Sequence, residues 1–242
     1  MLLAYRVRDV ERRGAEVVLA RAEDDERFET LARLDKDRFG AESLERPALV
    51  RTDAGWRLYV CCATPGSKHW WIDALDAPSL PALAEADART VFPGDERTGV
   101  KDPVIRRAGG GWHAWICCHP LDEPGEEDRM TTAYATSADG LAWEWHGTVL
   151  APRPGSWDAR GTRVTAVLPG GRAYYDGRAT REENFSERTG IAEPSGAGLR
   201  AAGDAPVADY RYLDVLGRRL YYEAPLPDGS HELRTELAGG GP

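Results

Sequence analysis

Along most of this chain apolar and polar residues alternate over short runs that end at Gly, Pro or Asp. The runs "PALVR", "RLYVCC", "PVIRR" and "HAWICC" are rich in β-branched and aromatic residues and bounded by turn residues. Such segments read as β-strands, and each pair, separated by a Gly-containing turn, as a hairpin. Helical periodicity has little support, and "SLPALAEADART" (79–90) predicts a turn or two of helix in a loop.

The hairpins repeat. Residues 45–63, "ERPALVRTDAGWRLYVCCA", lie on 101–119, "KDPVIRRAGGGWHAWICCH", without a gap: Pro47 meets Pro103, Trp56 meets Trp112, and Cys61-Cys62 meets Cys117-Cys118. Weaker copies occur at 162–178 and 210–225, and the opening "LLAYRVR" resembles the second strand of such a hairpin. Outer segments match too, since 134–150 aligns with 19–34, with Asp139 over Asp24 and Trp143 over Phe28. An acidic turn, an aromatic residue and an outer strand complete a four-stranded unit. Five units result, near 2–40, 45–95, 101–150, 158–205 and 208–237. Repeats of this length, four strands each, describe β-propeller blades. The expected fold is all-β, a five-bladed propeller with an incomplete first blade. A β-sandwich also has many short strands, but has no reason to repeat a strand-turn-strand motif at a fixed shift.

Length and charge narrow the picture. A chain of 242 residues is long enough for one substantial core, and a single domain is expected. The net charge of -9 argues against nucleic acid and anionic membranes as partners, although all cations but Lys36, Lys68 and Lys101 are arginine. The N-terminus has no basic region followed by a long apolar stretch, and no run approaches the length of a membrane span, so a cytoplasmic location is expected. The adjacent cysteine pairs fit neither a metal knuckle nor a disulfide framework. They read as small hydrophobes on strands, one thiol in and one out, with a zinc or redox site as the alternative. His69, His113 and His119 lack metal-binding spacing; no cofactor and no metal are expected.

"ERP" at 45–47, "KDP" at 101–103, the Gly-Trp hairpins behind them and "SADGLAW" at 137–143 resemble the five-bladed propeller glycosidases, the group that includes glycoside hydrolase families 43 and 32. That resemblance implies a central funnel onto which the innermost strand of each blade opens. It also implies three carboxylates: a base early in the first blade, an acid further round, and between them an aspartate that orients the sugar. Asp102 in Lys-Asp-Pro matches the middle one. Glycosidic cleavage needs one group to protonate the leaving oxygen and another to activate water or attack carbon. This chain departs from the pattern, because its first unit starts on a second-strand sequence and the expected base has no position. Either the start is truncated or the site is rebuilt.

Replacement carboxylates are Glu45, Asp158, Asp176 and Glu223. Aligned second strands place Arg6, Cys61, Cys117, Asp176 and Glu223 on one ring around the axis. Alternatively Asp176 begins a turn with Gly177, Glu223 pairs with a nearby Arg, and Asp102 is an Asp-Pro turn residue. Candidate substrate-binding residues are Arg46, Lys101, Arg160, Arg163 and Arg178, with Trp70 and Tyr212 as stacking platforms. The polar stretch 174–190 reads as a loop beside the funnel, with Glu182, Glu183 and Arg188 as further binders or simply as a solvated charge run. The leading expectation is a glycosidase-like enzyme on a small sugar or glycoside. Its rivals are a non-hydrolytic cyclase or lyase on the same fold and a carbohydrate-binding propeller. Exposed edges around an incomplete blade raise two further expectations, that "HELRTEL" (231–237) pairs with the N-terminal unit or that a homodimer covers the gap.

Overall fold

The computed structural model describes residues 1–8, 12, 14–24 and 27–238, and it is a five-bladed β-propeller. Blade one holds β1 (Leu2–Val7), β2 (Glu16–Arg21) and β3 (Glu29–Asp35). Blade two holds β4 (Leu44–Arg51), β5 (Trp56–Ala63), β6 (Trp70–Ala77) and β7 (Ala88–Phe92). Blade three holds β8 (Thr98–Ala108), β9 (Gly111–Pro120), β10 (Thr131–Ser137) and β11 (Glu144–Leu150). Blade four holds β12 (Gly161–Val167), β13 (Ala173–Arg178), β14 (Arg188–Ser195) and β15 (Gly198–Ala201). Blade five holds β16 (Arg211–Leu216), β17 (Arg219–Pro225) and β18 (His231–Leu237). All strands pair antiparallel with their neighbours in the chain, so each blade is a meander. The helical content foreseen within 79–90 is a short 3-10 turn, Pro81–Ala84. No helix among the described residues is long and apolar enough to cross a membrane.

Among the described residues two blades have three strands, blade one, which was expected to be incomplete, and blade five, where four were expected; they lack opposite ends. In blade five no outermost strand lies among the described residues, and β18 pairs with β17, which corrects the expected pairing of 231–237 with the N-terminal unit. In blade one no innermost strand lies among the described residues. Near the end of β1, Arg6 meets Glu45 near the start of β4. Cys61 near the end of β5 meets the Asp102 amide on β8 in the same way, and Asp176 on β13 meets the Tyr212 amide on β16. β1 is therefore a second strand, as its sequence implied.

Apolar faces of adjacent blades make the core. Val17, Leu19 and Leu34 pack on Leu58, Val60 and Cys62 between blades one and two. Tyr59, Cys61 and Ile72 pack on Ile105, Ala114 and Ile116 between blades two and three. Strand neighbours point to opposite faces, and both faces of an inner blade are covered, so both thiols of each cysteine pair are buried rather than one in and one out. Between blades five and one no apolar cluster forms among the described residues; the seam is bridged by an edge-to-face contact of Phe28 with Tyr221, centroids 6.5 Å apart, and by Arg6 with Glu223 at 3.2 Å.

Candidate active site

The innermost strands carry a shared irregularity that aims side chains at the axis. In the β4–β5 ladder the register skips Arg46 and Pro47, in β8–β9 it skips Asp102 and Pro103, and in β16–β17 it skips Tyr212 and Leu213. A bulge bends its strand and redirects the extra residues. Asp102 and Tyr212 adopt left-handed backbone there, φ 51° and 55°. Asp tolerates that region; a tyrosine in it is rare and is held by its surroundings. Asp102 is thus a bulge residue within a strand, and the Asp-Pro turn alternative does not hold.

Arg163 on β12 binds this group together. Its guanidinium donates to Asp102 Oδ2 at 3.1 Å, to Asp176 Oδ2 at 3.2 Å through Nε, and to the Tyr212 hydroxyl at 2.8 Å. Tyr212 donates in turn to Asp102 Oδ2 at 3.1 Å, and its amide donates to Asp176. The guanidinium also lies 3.8 Å from the Tyr212 ring centroid, with Arg211 at 4.9 Å and Arg6 at 5.0 Å. Asp102 and Asp176 are wholly buried. Burial alone would raise the Asp102 pKa, but Lys101, Arg163 and Arg6 outweigh it and hold the carboxyl well below its ordinary range. Asp176, on the same arginine, is shifted up by burial with Glu187 adding to it. Asp176 does not begin a turn with Gly177. Both lie within β13, and a Cβ on Gly177 would sit 2.5 Å from the Trp157 ring, so only glycine fits there.

The funnel itself is a cavity of about 220 Å³. Eight cationic side chains line it, Arg6, Arg8, Lys68, Lys101, Arg163, Arg178, Arg181 and Arg211, against the four carboxylates of Glu45, Glu127, Asp128 and Glu187. Those carboxylates are engaged. Glu45 contacts Arg6, and Glu187 contacts Arg178 at 3.1 Å and Arg211 at 3.2 Å. Despite burial, Arg211, Arg163 and Arg178 bring the Glu187 pKa down to about 2. Asp128 receives Arg160 at 2.6 Å, and the amide of Gly125 donates to Glu127.

Burial shifts Arg178, Lys101 and His119 of the lining toward neutrality. The Lys101 ammonium lies 4.9 Å from the Trp70 ring centroid and 3.9 Å from Asp102, and burial lowers its pKa. His119 lies within 2.7 Å of the Glu127 carbonyl through Nδ1, which fixes the proton on Nδ1 and leaves Nε2 as an acceptor. Burial, with Lys101 adding, takes its pKa down to about 3.

Not every predicted residue meets this cavity. Asp158 is buried against Arg153 at 3.0 Å and the Tyr175 hydroxyl at 2.9 Å, outside the lining, which corrects the reading that it overhangs the mouth. Arg160 clamps Glu126 and Asp128 from behind rather than flanking a ligand. Arg46 and Glu223 line a neighbouring cavity, Glu223 being shared by Arg6 and Arg211. Trp70 faces the funnel, but Lys101 occupies its ring face, so it is no open stacking platform. Glu183 pairs with Arg188 at the start of β14. Sequence reasoning missed Glu187, Arg211 and His119. Arg211 was findable, because it precedes Tyr212 as Lys101 precedes Asp102 and Glu45 precedes Arg46. Among the described residues no cluster of His, Cys, Asp and Glu is placed to hold a metal ion.

No family model and no curated protein matches the sequence. Solved structures do match, and they define the class of architecture. β-1,2-Mannobiose phosphorylase from Listeria innocua, solved with β-1,2-mannobiose, is 15% identical over 92% of this chain and 67% of its own, TM-score 0.65. An α-L-arabinofuranosidase from Lactobacillus brevis is 15% identical over 97% and 89%, TM-score 0.66, and a glycosyl hydrolase from Bacteroides ovatus is 13% identical over 97% and 79%, TM-score 0.66. The chain thus has the five-bladed propeller fold found in glycoside hydrolases and phosphorylases.

Proposed function

We propose that the chain is a carbohydrate-active enzyme acting in the central funnel on a small sugar or glycoside that carries an anionic group. One observation carries this reading: in a chain of net charge -9, the funnel lining holds eight cations and four carboxylates. Guanidinium groups recognise carboxylate and phosphate oxygens through paired hydrogen bonds, and a confined cationic cavity concentrates such ligands. Asp102 serves as a permanently charged carboxylate that positions Arg163, Lys101 and Tyr212, and Arg211 and Lys101 meet the ligand.

A second reading keeps the ligand and changes the chemistry. Hydrolysis by a carboxylate pair needs one carboxyl that is protonated near neutral pH. Glu187 and Asp128 are held low, and Asp176, the one shifted up, is walled off behind Arg163. Proton abstraction by neutral His119 from a carbon beside a neutralised sugar carboxylate, with the Lys101 ammonium protonating the alkoxy group that leaves as alcohol, needs no protonated carboxyl and suits this arrangement better.

Incubation with matched neutral glycosides and glycosiduronates, followed by proton NMR, separates the readings. A reducing sugar supports hydrolysis, an unsaturated ultraviolet-absorbing product supports elimination, and calorimetric binding without turnover supports a binding propeller. Equal binding of neutral and acidic sugars, insensitive to salt, would overturn the anionic ligand.

A further inference from the structure

All but three of the chain's cations are arginine, and two of the three lysines, Lys68 and Lys101, line the funnel. A guanidinium supplies charge and stays protonated, whereas an amine also loses its proton and attacks carbon. Lys101 is built for the second task. Its side chain is 12% exposed, and the carboxylate it pairs with, on Asp102, lies 3.9 Å away, beyond hydrogen-bonding reach. Nζ makes no hydrogen bond among the described residues; it sits over the Trp70 ring, with Cys117 directly opposite Lys101 in the β8–β9 ladder. Burial opposes a positive charge there most strongly, and Arg163 and Arg6 oppose it too. Asp102 and Cys117 favour it, and the balance lies below the ordinary lysine value. Desolvation beside other cations is what makes a lysine a nucleophile near neutral pH.

The same wall holds groups that lack an acceptor or a donor. Arg178 lines the funnel at 1% exposure, and its Nε is buried with no hydrogen-bond partner. A buried guanidinium N–H without an acceptor is costly, and it marks a place for an oxygen. Lys68 and Arg181 of the lining meet Glu127 only at long range among the described residues, so they add positive potential at the mouth. Asp102 Oδ1, beside Lys101, is buried and has no hydrogen-bond partner either. A funnel of about 220 Å³ admits only a small reactant.

We infer that Lys101 is an amine nucleophile that forms an imine with the carbonyl carbon of a small anionic aldehyde or 2-oxo acid, whose acid group lies on Arg178. The neutral Nζ adds to the carbonyl carbon, both amine hydrogens pass to the carbonyl oxygen, and that oxygen leaves as water. A C=N bond thus replaces C=O with no change of oxidation state. Protonation of the imine gives a cation that Asp102 is placed to balance. A lysine that has given its proton to a leaving alkoxy group is left in this same neutral form. The inference rests on the reading of the funnel as an anion site and adds to it a carbonyl class and a covalent step.

The probe is glyoxylate with sodium cyanoborohydride near neutral pH on the intact chain, read by peptide mass mapping. Cyanoborohydride delivers hydride to the imine carbon and fixes the adduct as carboxymethyl-lysine. Lys101 should be modified about tenfold or more faster than Lys36, whose Nζ lies outside the funnel on the Glu42 carbonyl. With neutral glycolaldehyde the ratio of Lys101 to Lys36 modification should fall about tenfold, which cancels the difference in aldehyde reactivity. Arg178→Gln should lower the glyoxylate ratio about tenfold and leave the glycolaldehyde ratio unchanged; the two ratios in the unaltered chain carry the test if that buried substitution prevents folding. Salt-sensitive glyoxylate binding by NMR with Lys101 unmodified, or modification of Lys68 in its place, overturns the nucleophile and leaves the anion reading standing. Equal ratios for the two aldehydes overturn the inference together with that reading.

Discussion

Replacing Arg163 by Met tests the electrostatic core of the site. Arg163 is 1% exposed and serves Asp102 and Asp176, both wholly buried. Methionine keeps much of the volume but leaves two carboxylates without their shared cation. Breaking a buried pair costs about 3–5 kcal/mol, and with two acids on one base the upper end applies. For a chain of this size that lowers Tm by roughly 10–20 °C. The pH dependence gives the sharper test. In the native protein Asp102 is held below its unfolded value of about 3.9, so its stabilisation is complete above that pH and is lost as pH falls through the folded value. In the variant Lys101 and Arg6 still oppose burial at Asp102, but Asp176 loses the cation that opposed its burial and is pushed further above the unfolded value, so stability is lost as pH rises through its folded value. The difference between the two proteins should therefore be smallest near pH ~4 and grow toward pH ~7. Urea unfolding across that range measures it, with Arg163→Lys, which keeps the charge but not the fork, falling between. A difference constant with pH, or under about 1 kcal/mol, would refute the reasoning.

Further outcomes follow from the same geometry. Asp102→Asn keeps a residue that tolerates left-handed backbone but weakens the tie to Arg163, costing about 1–3 kcal/mol by urea unfolding, and Asp102→Ala should cost about 1 kcal/mol more. Buried neutral His119, with its pKa down at about 3, gives stability that is full above its unfolded value of about 6.5 and lost as pH falls toward 3; His119→Gln should flatten acid unfolding over that window. Burial raises all four thiol pKa values, that of Cys118 to about 12, so alkylation of the native protein should be negligible near neutral pH and proceed at all four sites once it is unfolded.

The fold was legible because the hairpin recurs at a fixed shift, which aligns Arg46 with Asp102, and the resemblance to five-bladed propeller glycosidases implied that Asp102 turns toward the axis. The third instance of that aligned position, Tyr212, was named only as a stacking ring, because Tyr-Leu replaces the X-Pro that marks the other bulges. The ring of second-strand positions was also legible, and Cys61, Asp176 and Glu223 do meet the next blade or its neighbour. What the sequence hid was the state of the carboxylates. Arg163 lies 61 residues from Asp102, Tyr212 lies 110 from it, and Arg6 lies 217 from Glu223. No local pattern reports a partner on another blade. A carboxylate read as an acid or base became, once its neighbours were placed, one end of an ion pair.

That β1, a second strand, is the axis-most strand of blade one among the described residues accounts for Arg6. In blades two to five charged groups reach the axis from innermost strands; in blade one Arg6 reaches it from a second strand and spans Glu45 and Glu223. Phe28 against Tyr221 and Arg6 over the Tyr212 ring are further contacts across that seam. Arg6→Met should therefore act locally as well as globally. It leaves Glu45, 2% exposed, without that partner, at a cost of about 3–5 kcal/mol. Blade five, with three strands and no apolar cluster against blade one, loses an anchor that the interior blades do not use. Native-state amide exchange should thus accelerate first in β16, β17 and β18, at denaturant too low to affect β9 or β13, which apolar neighbours hold on both sides. Equal acceleration in all five blades would mean that Arg6 is merely one more buried pair and that the seam is no weaker than the other four joints.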